Sequence, residues 1–310
     1  MDADFAGRCF ACLAPRKKPG SPCAFCGVAL PPEGQEERAA AELDASLVPG
    51  RYRAPPDAAW RADDIVLRQL ALAKGLAFEA DDPDAFSGHK DQVAEGTLRA
   101  HEGRRPPQVS VIILTRADDR RAEEAAGRAA EIASEVVLVV DAEKEEPLGF
   151  DPRGARVIRR LLAGDFAAQR NTGQAAASHP YTLHLDTDEA LQVGREDLSL
   201  LCSLMQRDGL RAVGFPRRNM VDGQLSALYP DVQYRLLRRD ERFEGRVHER
   251  PRVCSEDWTR TTIAFGLGME HRLSGEHVRA RRERYDALGQ GAERRAEARL
   301  LSAPFPREER

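Results

Sequence analysis

Hydrophobic residues follow one rule after about residue 107 of this chain and another before it. In the later part, apolar runs short enough to be strands alternate with stretches in which small and apolar residues recur at helical spacing. Val109–Thr115 (VSVIILT) and Glu135–Asp141 (EVVLVVD) are continuous and rich in β-branched residues, as strands covered on both faces are. ARVIRRL reads as a weaker third strand and Tyr181–Asp186 (YTLHLD) as a fourth. Between them, DDRRAEEAAGRAAEIAS opens with acids and then places Ala and Ile on one helical face. GDFAAQRNTGQAAAS offers Asp165 as an N-cap, followed by small residues that let a helix lie close to a sheet. REDLSLLCSLMQRDG is a third helix. The alternation predicts an α/β fold with a mostly parallel sheet and flanking helices. After residue 210 the pieces RAVGFPRRNMV, DVQYRLLRR, FEGRVHERPRV and TTIAFGLGMEHR are strand-like, with few helices between them. GEHVRARRERYDALGQ is a closing helix. Residues 291–310 form a C-terminal tail whose last part, APFPREER, is expected to be disordered.

The earlier part divides again. Residues 1–30 hold four cysteines among Pro, Gly and Lys. Residues 31–106 mix a short amphipathic helix (QEERAAAELDASL), Pro-rich VPGRYRAPP, a helical stretch (AAWRADDIVLRQLALAKGL) and polar, turn-rich FEADDPDAFSGHKDQ. The pattern assigns this helical and linker region no function. EGRRPPQ ends it as a hinge, since paired prolines stop helices and favour extended chain.

Composition narrows the function classes. A net charge of -4 over 310 residues, with Arg interleaved among acids, argues against general nucleic-acid binding. No apolar run approaches the ~20 residues of a membrane span. The N-terminal MDADFAGRCF is no secretory leader, so the expected location is cytoplasmic. The Arg-rich closing helix is the one segment suited to an anionic inner-membrane surface, although its interleaved acids favour a solvated face.

In a reducing compartment, clustered cysteines point to metal rather than disulfides. Cys9 and Cys12, then Cys23 and Cys26, form two C-x2-C knuckles separated by ten residues. Each knuckle presents two sulfurs on one side of a tight turn, which suits tetrahedral structural zinc with no open ligand position. The piece resembles the small zinc ribbons of many bacterial proteins, and a protein-docking role is the expectation for it. Cys202 and Cys254 have no Cys or His at ligand spacing and read as core residues.

LHLDTDEAL, residues 183–191, crowds three carboxylates at the end of a strand. Negative charge so placed needs a positive partner. In open α/β sheets ligands bind beyond the carboxyl ends of strands. Alternation in extended chain puts Asp186 and Asp188 toward one ligand and turns Glu189 elsewhere. Two carboxylates side by side are the usual protein contribution to a hard divalent cation shared with phosphate oxygens.

The stretch DFAAQRNTGQAAASHPYTLHLDTDEAL resembles the family 2 glycosyltransferases, enzymes of GT-A fold, and within them the branch related to lipopolysaccharide-core glucosyltransferases. There a helix bearing Arg-Asn precedes a strand ending in Asp-x-Asp-Glu, matched here by Arg170, Asn171, Asp186, Asp188 and Glu189. PDVQYRLLRRDERFEGRVHER and MEHRLSGEHVRARRERYDAL are similar to two further blocks of that branch, in the same order, so the resemblance spans residues 107–290. It implies inverting transfer of a sugar from a nucleotide-sugar donor to a glycan, lipid-linked or protein acceptor, with Mg or Mn at the diphosphate. On this resemblance Asp188 and Asp186 ligate the metal and His271 is a candidate third ligand. Glu249, with His248 beside it, is the candidate base for the acceptor hydroxyl. Asp141, Arg170, Asn171 and Asp186 are expected at the donor.

Two stretches depart from the family. AEKEEP follows Asp141 where a second Asp is usual, and TRADD replaces the Asn-Glu after the first strand. These departures motivate a rival reading, a non-catalytic adaptor whose zinc ribbon and middle region bind a protein partner. A nucleotidyltransferase is disfavoured because VIILTRADDRR lacks the Gly-rich loop that cradles a triphosphate.

Overall fold

The computed structural model describes residues 9–12, 14, 22–23, 26, 28–29, 31–32, 34–53, 58, 60, 62, 64–72, 74–81, 95–100, 108–246, 249–265, 267–280 and 292–305.

In the N-terminal part, helix α1 (Glu36–Ser46), strand β1 (Gly50–Arg53), helix α2 (Asp64–Leu72), β2 (Leu76–Ala80) and β3 (Glu95–Ala100) follow in order. The strands form an antiparallel sheet in the order β1-β3-β2, with Phe78 opposite Leu98. α1 falls in the amphipathic stretch and α2 in the helical stretch read from sequence; the strands were not legible there. The four cysteines pack with Phe10, Val28, Leu43, Trp60, Leu67 and Leu98 in one buried cluster. The cysteine turns and the segment after them therefore share a single core. Phe265 packs against this cluster, and Arg68 Nη1 lies 3.9 Å from Asp208 Oδ2, which joins it to the rest of the chain.

From residue 109 the chain builds β4 (Val109–Arg116), α3 (Arg121–Ile132), β5 (Glu135–Asp141), β6 (Arg156–Arg159), α4 (Phe166–Ala176), β7 (Tyr181–Asp186), β8 (Glu189–Gln192), α5 (Arg195–Arg207), β9 (Ala212–Val221), β10 (Gln224–Leu225), β11 (Asp231–Arg238), β12 (Phe243–Glu244), β13 (Arg250–Pro251), β14 (Thr261–Ile263) and β15 (Gly268–Leu273). The main sheet runs β6-β5-β4-β7-β11-β9-β15-β8, with β10 and β14 also on β9, while β12 and β13 form a separate pair. β4, β5, β6 and β7 are mutually parallel; β11 enters antiparallel between β7 and β9. This is a Rossmann-like α/β arrangement with parallel central strands and flanking helices, as the alternation in the sequence predicts.

The sheet's position in the core explains its sequence. β4 and β5 are buried on both faces, so neither alternates. Val111, Ile113, Leu138 and Val140 face one cluster, and Ile112, Val137 and Val139 face the other. Asp165 caps α4 by accepting from Ala168 N at 2.8 Å. Gly173 is what lets α4 lie so close to the sheet: a Cβ there would stand 2.4 Å from Ile112 Cγ2 and 2.8 Å from Val139 Cγ2.

The order of the parallel strands sets where an α/β sheet of this kind opens a crevice for ligands. The chain steps outward from β4 to β5 and β6, then returns to the other side of β4 as β7. Between the carboxyl ends of β4 and β7 the connections diverge, which is where ligands enter such sheets.

Two segments differ from the sequence reading. Glu189 opens strand β8, which pairs with β15 so that Glu189 stands opposite His271. The start of the tail, expected to be disordered, is docked instead: Ser226 bridges Pro304, Phe305 N donates to Leu225 O at 2.7 Å, and the Phe305 ring meets Tyr229 edge-on. Of the closing helix, residues 275–280 are helical and the remainder lies outside the described residues; a further helix spans Ala292–Ser302. Among the described residues no helix is long and apolar enough to cross a membrane.

Candidate functional site

β7 ends at Asp186 and β8 begins at Glu189, so Thr187 and Asp188 form a tight turn at the crevice. Strand alternation does not run through this turn, and the three carboxylates point to different partners. Glu189 is sealed, with a side chain 0% exposed, whereas Asp188 keeps 23% and Asp186 33%. Only the two aspartates are open to a ligand.

Guanidinium groups surround the turn. Arg170, on α4 and 2% exposed, donates through Nη2 to Asp186 Oδ1 at 2.9 Å and through Nε to Glu249 Oε1 at 2.6 Å. Its guanidinium also lies 5.6 Å from the centre of the Phe243 ring. Arg235, on β11, donates to Asp186 Oδ2 at 3.1 Å and to Glu189 Oε1 at 2.7 Å. Arg217, on β9, donates to the same Glu189 oxygen at 2.8 Å and to Asp231 Oδ2 at 2.7 Å. The second Glu189 oxygen accepts from Asp186 N at 3.1 Å, which fixes the turn. Burial alone would raise the Asp186 pKa, but Arg170, Arg235 and Arg217 outweigh it and hold the carboxyl below the usual carboxylate range.

Asp188 faces the other way. His271 Nε2, on β15, lies 3.5 Å from its Oδ2, and Arg121 Nη1 at the start of α3 lies 3.8 Å from the same oxygen. Burial works against ionisation of Asp188, and with His271 protonated beside it the imidazolium more than compensates, so the Asp188 pKa is lowered in that state. Asn219 Oδ1 stands 2.8 Å from His271 Nδ1. Asn219 Nδ2 in turn donates to Asp231 Oδ2 at 3.0 Å, which closes the circuit back to Arg217.

The groups joined in this circuit carry unequal charge. Asp119, Asp186, Asp188, Glu189, Asp231 and Glu249 are six carboxylates; Arg121, Arg170, Arg217 and Arg235 are four guanidinia. Among the described residues the circuit is thus two positive charges short when His271 is neutral. One divalent cation cancels that deficit. Asp188 and His271 fit such an ion: two donors on one ion with bonds of about 2.1 Å stand roughly 3.0–3.4 Å apart, near the observed gap. Among the described residues only the four cysteines bring three or more ligand atoms together, so an ion at Asp188 and His271 draws its remaining ligands from phosphate or water.

Other residues singled out in the sequence are engaged within the protein. Asn171 clamps the Phe243 backbone, donating to its carbonyl and accepting from its N–H, both at 2.9 Å. Asp141, at the end of β5, accepts from Leu162 N at 2.7 Å and so anchors the loop leading to α4. His248 lies outside the described residues. His184 is a core residue whose Nε2 meets Gln174 Oε1 at 3.0 Å; burial, then Arg170 and Arg235, push its pKa well down.

Sequence reasoning missed Arg235, Arg217, Asn219 and Asp231. For all but Asp231 a signal existed. Arg235 interrupts the apolar run of a strand, and Arg217 and Asn219 sit two apart on another, so they share one face.

At the N-terminus the four sulfurs lie within 4.8 Å of one another. Cys9 Sγ is 3.7 Å from Cys26 Sγ, and Cys12 Sγ is 3.7 Å from Cys23 Sγ. Disulfide sulfurs stand about 2.05 Å apart. Tetrahedral zinc with bonds of about 2.3 Å sets its sulfurs about 3.8 Å apart. The donor set therefore fits zinc. Each knuckle closes in the same way, with Cys9 N donating to Ala14 O and Cys23 N to Val28 O, both at 2.9 Å.

No protein-family model and no curated protein sequence matches this chain. Among solved structures, S. aureus TarS 1–349 in complex with UDP-GlcNAc aligns at 15% identity and a TM-score of 0.38, over 55% of this chain and 60% of that one. The same protein with UDP aligns at 12% identity and 0.34, over 55% and 61% of the two chains. A CMP:2-keto-3-deoxy-manno-octonic acid synthetase complexed with CTP aligns at 16% identity and 0.26, over 36% and 52%. Likenesses this distant leave the functional reading to the residues of the site.

Proposed function

We propose that the chain is an inverting glycosyltransferase that moves a sugar from a nucleotide-sugar donor to a hydroxyl of a glycan, lipid-linked or protein acceptor. The observation that carries this is the charge deficit at the β7–β8 turn, beside an Asp188–His271 pair that opens on the crevice. A crevice lacking two positive charges, with two ligand groups at its mouth, suits a divalent cation arriving with a diphosphate.

In this reading Asp188 and His271 hold Mg or Mn. When bound, that ion neutralises the diphosphate as it leaves. Asp186, fixed by Arg170 and Arg235, keeps its exposed edge toward the donor. Asp141, at the end of the neighbouring strand, takes the nucleoside side of the crevice. Arg170 and Asn171 serve the donor indirectly, through the Asp186, Glu249 and Phe243 groups that they hold. Glu249 is the base. Its carboxylate takes the acceptor hydroxyl's proton as the oxygen attacks the anomeric carbon from the face opposite the leaving group. The sugar–phosphate bond breaks with its electron pair going to the diphosphate, and the configuration inverts. His248, adjacent to Glu249, is the alternative base. The zinc module serves as a docking element for a protein partner.

The test is a panel of nucleotide sugars with and without Mn2+ or Mg2+, using the full chain. Metal-dependent transfer or donor hydrolysis is expected, and Asp188→Ala should abolish it. A panel with no turnover and no metal-dependent nucleotide binding would leave the non-catalytic adaptor in its place.

A further inference from the structure

His271 faces Asp188 with Nε2, which is either protonated or bare in the neutral ring, and Asn219 decides which. The Asn219 amide is oriented by its own bonds: Nδ2 donates to Asp231 Oδ2 at 3.0 Å and toward Leu228 O at 3.4 Å. Both of those partners are acceptors, so the amide nitrogen belongs on that side. The amide oxygen is left facing His271 Nδ1 at 2.8 Å. An oxygen that can only accept requires a proton on Nδ1. In neutral His271 the bare nitrogen is therefore Nε2, the atom 3.5 Å from Asp188 Oδ2. A lone pair and a carboxylate then face each other across a gap longer than a charge-assisted hydrogen bond, about 2.7–2.9 Å.

We infer that Asn219 is a positioning residue that locks His271 as its Nδ1–H tautomer and so keeps Nε2 open as a divalent-cation ligand opposite Asp188. The inference deepens the proposed function and rests on its assignment of a metal to this pair. Asn219 touches neither the ion nor the substrate. It acts from β9, where it stands beside His271 on β15, and it is 1% exposed and held by Asp231, itself fixed by Arg217. The lock is therefore built into the sheet rather than assembled by the ligand. Outer partners of this kind orient a ligating imidazole and raise its basicity.

Two measurements on the full chain test this. In the metal-free wild type at a pH where His271 is neutral, long-range 1H–15N correlation of the imidazole should show the Nδ1–H pattern. In Asn219→Leu, which removes the acceptor, the ring should shift toward Nε2–H. Binding of Mn2+ alone, followed by its electron paramagnetic resonance signal, should weaken about 10–100-fold in the same variant. The wild-type spectrum needs no variant, so it decides the tautomer even where Asn219→Leu folds poorly. A wild type with Nε2–H, a variant that binds Mn2+ as tightly as the wild type, or a wild type that binds no Mn2+ would each overturn the inference. Absence of sugar transfer alongside the expected tautomer and Mn2+ affinity would count against the transferase reading alone.

Discussion

Arg170 donates to Glu249 at 2.6 Å and to Asp186 at 2.9 Å, so one buried guanidinium on α4 ties the proposed base to the end of β7. Glu249 and the acidic turn are thereby fixed relative to each other within the fold itself. Ordering these groups is a cost met by folding instead of by the reaction.

Glu249→Gln separates chemistry from architecture. The amide oxygen can still accept from Arg170 Nε, so the fold and Mn2+ binding should persist. Proton removal from the acceptor should not, and transfer is expected to fall about 10²–10⁴-fold. Comparable turnover by Glu249→Gln in a donor assay, with the wild-type acceptor dependence, would remove Glu249 from the role.

Arg170→Ala is expected to act on stability. It leaves Glu249 and Asp186 facing each other with half their counter-charge gone, and breaking a buried pair costs about 3–5 kcal/mol. Urea unfolding of Arg170→Ala should show a loss of that order. Arg121→Ala, whose side chain is 60% exposed, should lose less than about 1 kcal/mol.

The identity of the ion should follow from its donors. An imidazole nitrogen suits transition metals, while Mg2+ prefers oxygen alone. Mn2+ is therefore expected to bind more tightly than Mg2+, and His271→Ala should narrow the difference. Asp188→Asn should weaken both ions. Calorimetric titration of each ion, in the presence of a nucleoside diphosphate, reads these affinities.

The central strands were legible because each is short, continuous and buried on both faces; Glu135–Asp141 coincides in sequence and structure. Asp165 as a cap and the small face of α4 were legible for equally local reasons. β8 was not. Its four residues have no period of their own, and they become a strand only by pairing with β15, far along the chain. The site divides in the same way. Asp188 and His271 were legible as ligand types, and the structure brings them together. The arginines that answer the acidic turn come from α4, β9 and β11, and no local pattern links those elements. Charge balance across a fold is a property of the contacts, so the countercharge of Glu189 could not be read from residues 183–191.

Zinc should be a folding element of the whole N-terminal unit. The cysteines share one buried cluster with Leu43, Leu67 and Leu98, and a zinc site built from four thiolates contributes folding energy directly. One zinc per chain is expected by elemental analysis. Hydrogen exchange should show that Cys9→Ser, or a strong chelator, removes protection across α1, α2 and β3 while β4, β5 and β7 keep theirs. Unchanged exchange in 36–100 after zinc removal would mean that the core holds without the metal.

Acid stability should depend on Glu135, at the end of the sheet opposite the crevice. Burial alone would raise its pKa. Hydrogen bonds from Ser110 Oγ, Ser178 N and Ser178 Oγ outweigh burial, and the folded carboxyl titrates below its usual value of 4.5. A carboxyl whose folded pKa is depressed binds its proton less readily in the native state than in the unfolded one. Its contribution is thus fully present above the unfolded pKa and disappears as pH falls through the folded value. Glu135→Gln keeps the shape but loses the charge, and should cost on the order of 1 kcal/mol at pH 7. That difference should shrink below about pH 4.5, because the unfolded wild type then takes up its proton, and it should vanish as the folded carboxyl is neutralised at lower pH. Urea midpoints of the two proteins, measured from pH 7 down to pH 3, should therefore converge. Curves that stay parallel across that range would show that the carboxylate's charge contributes nothing at this edge of the sheet.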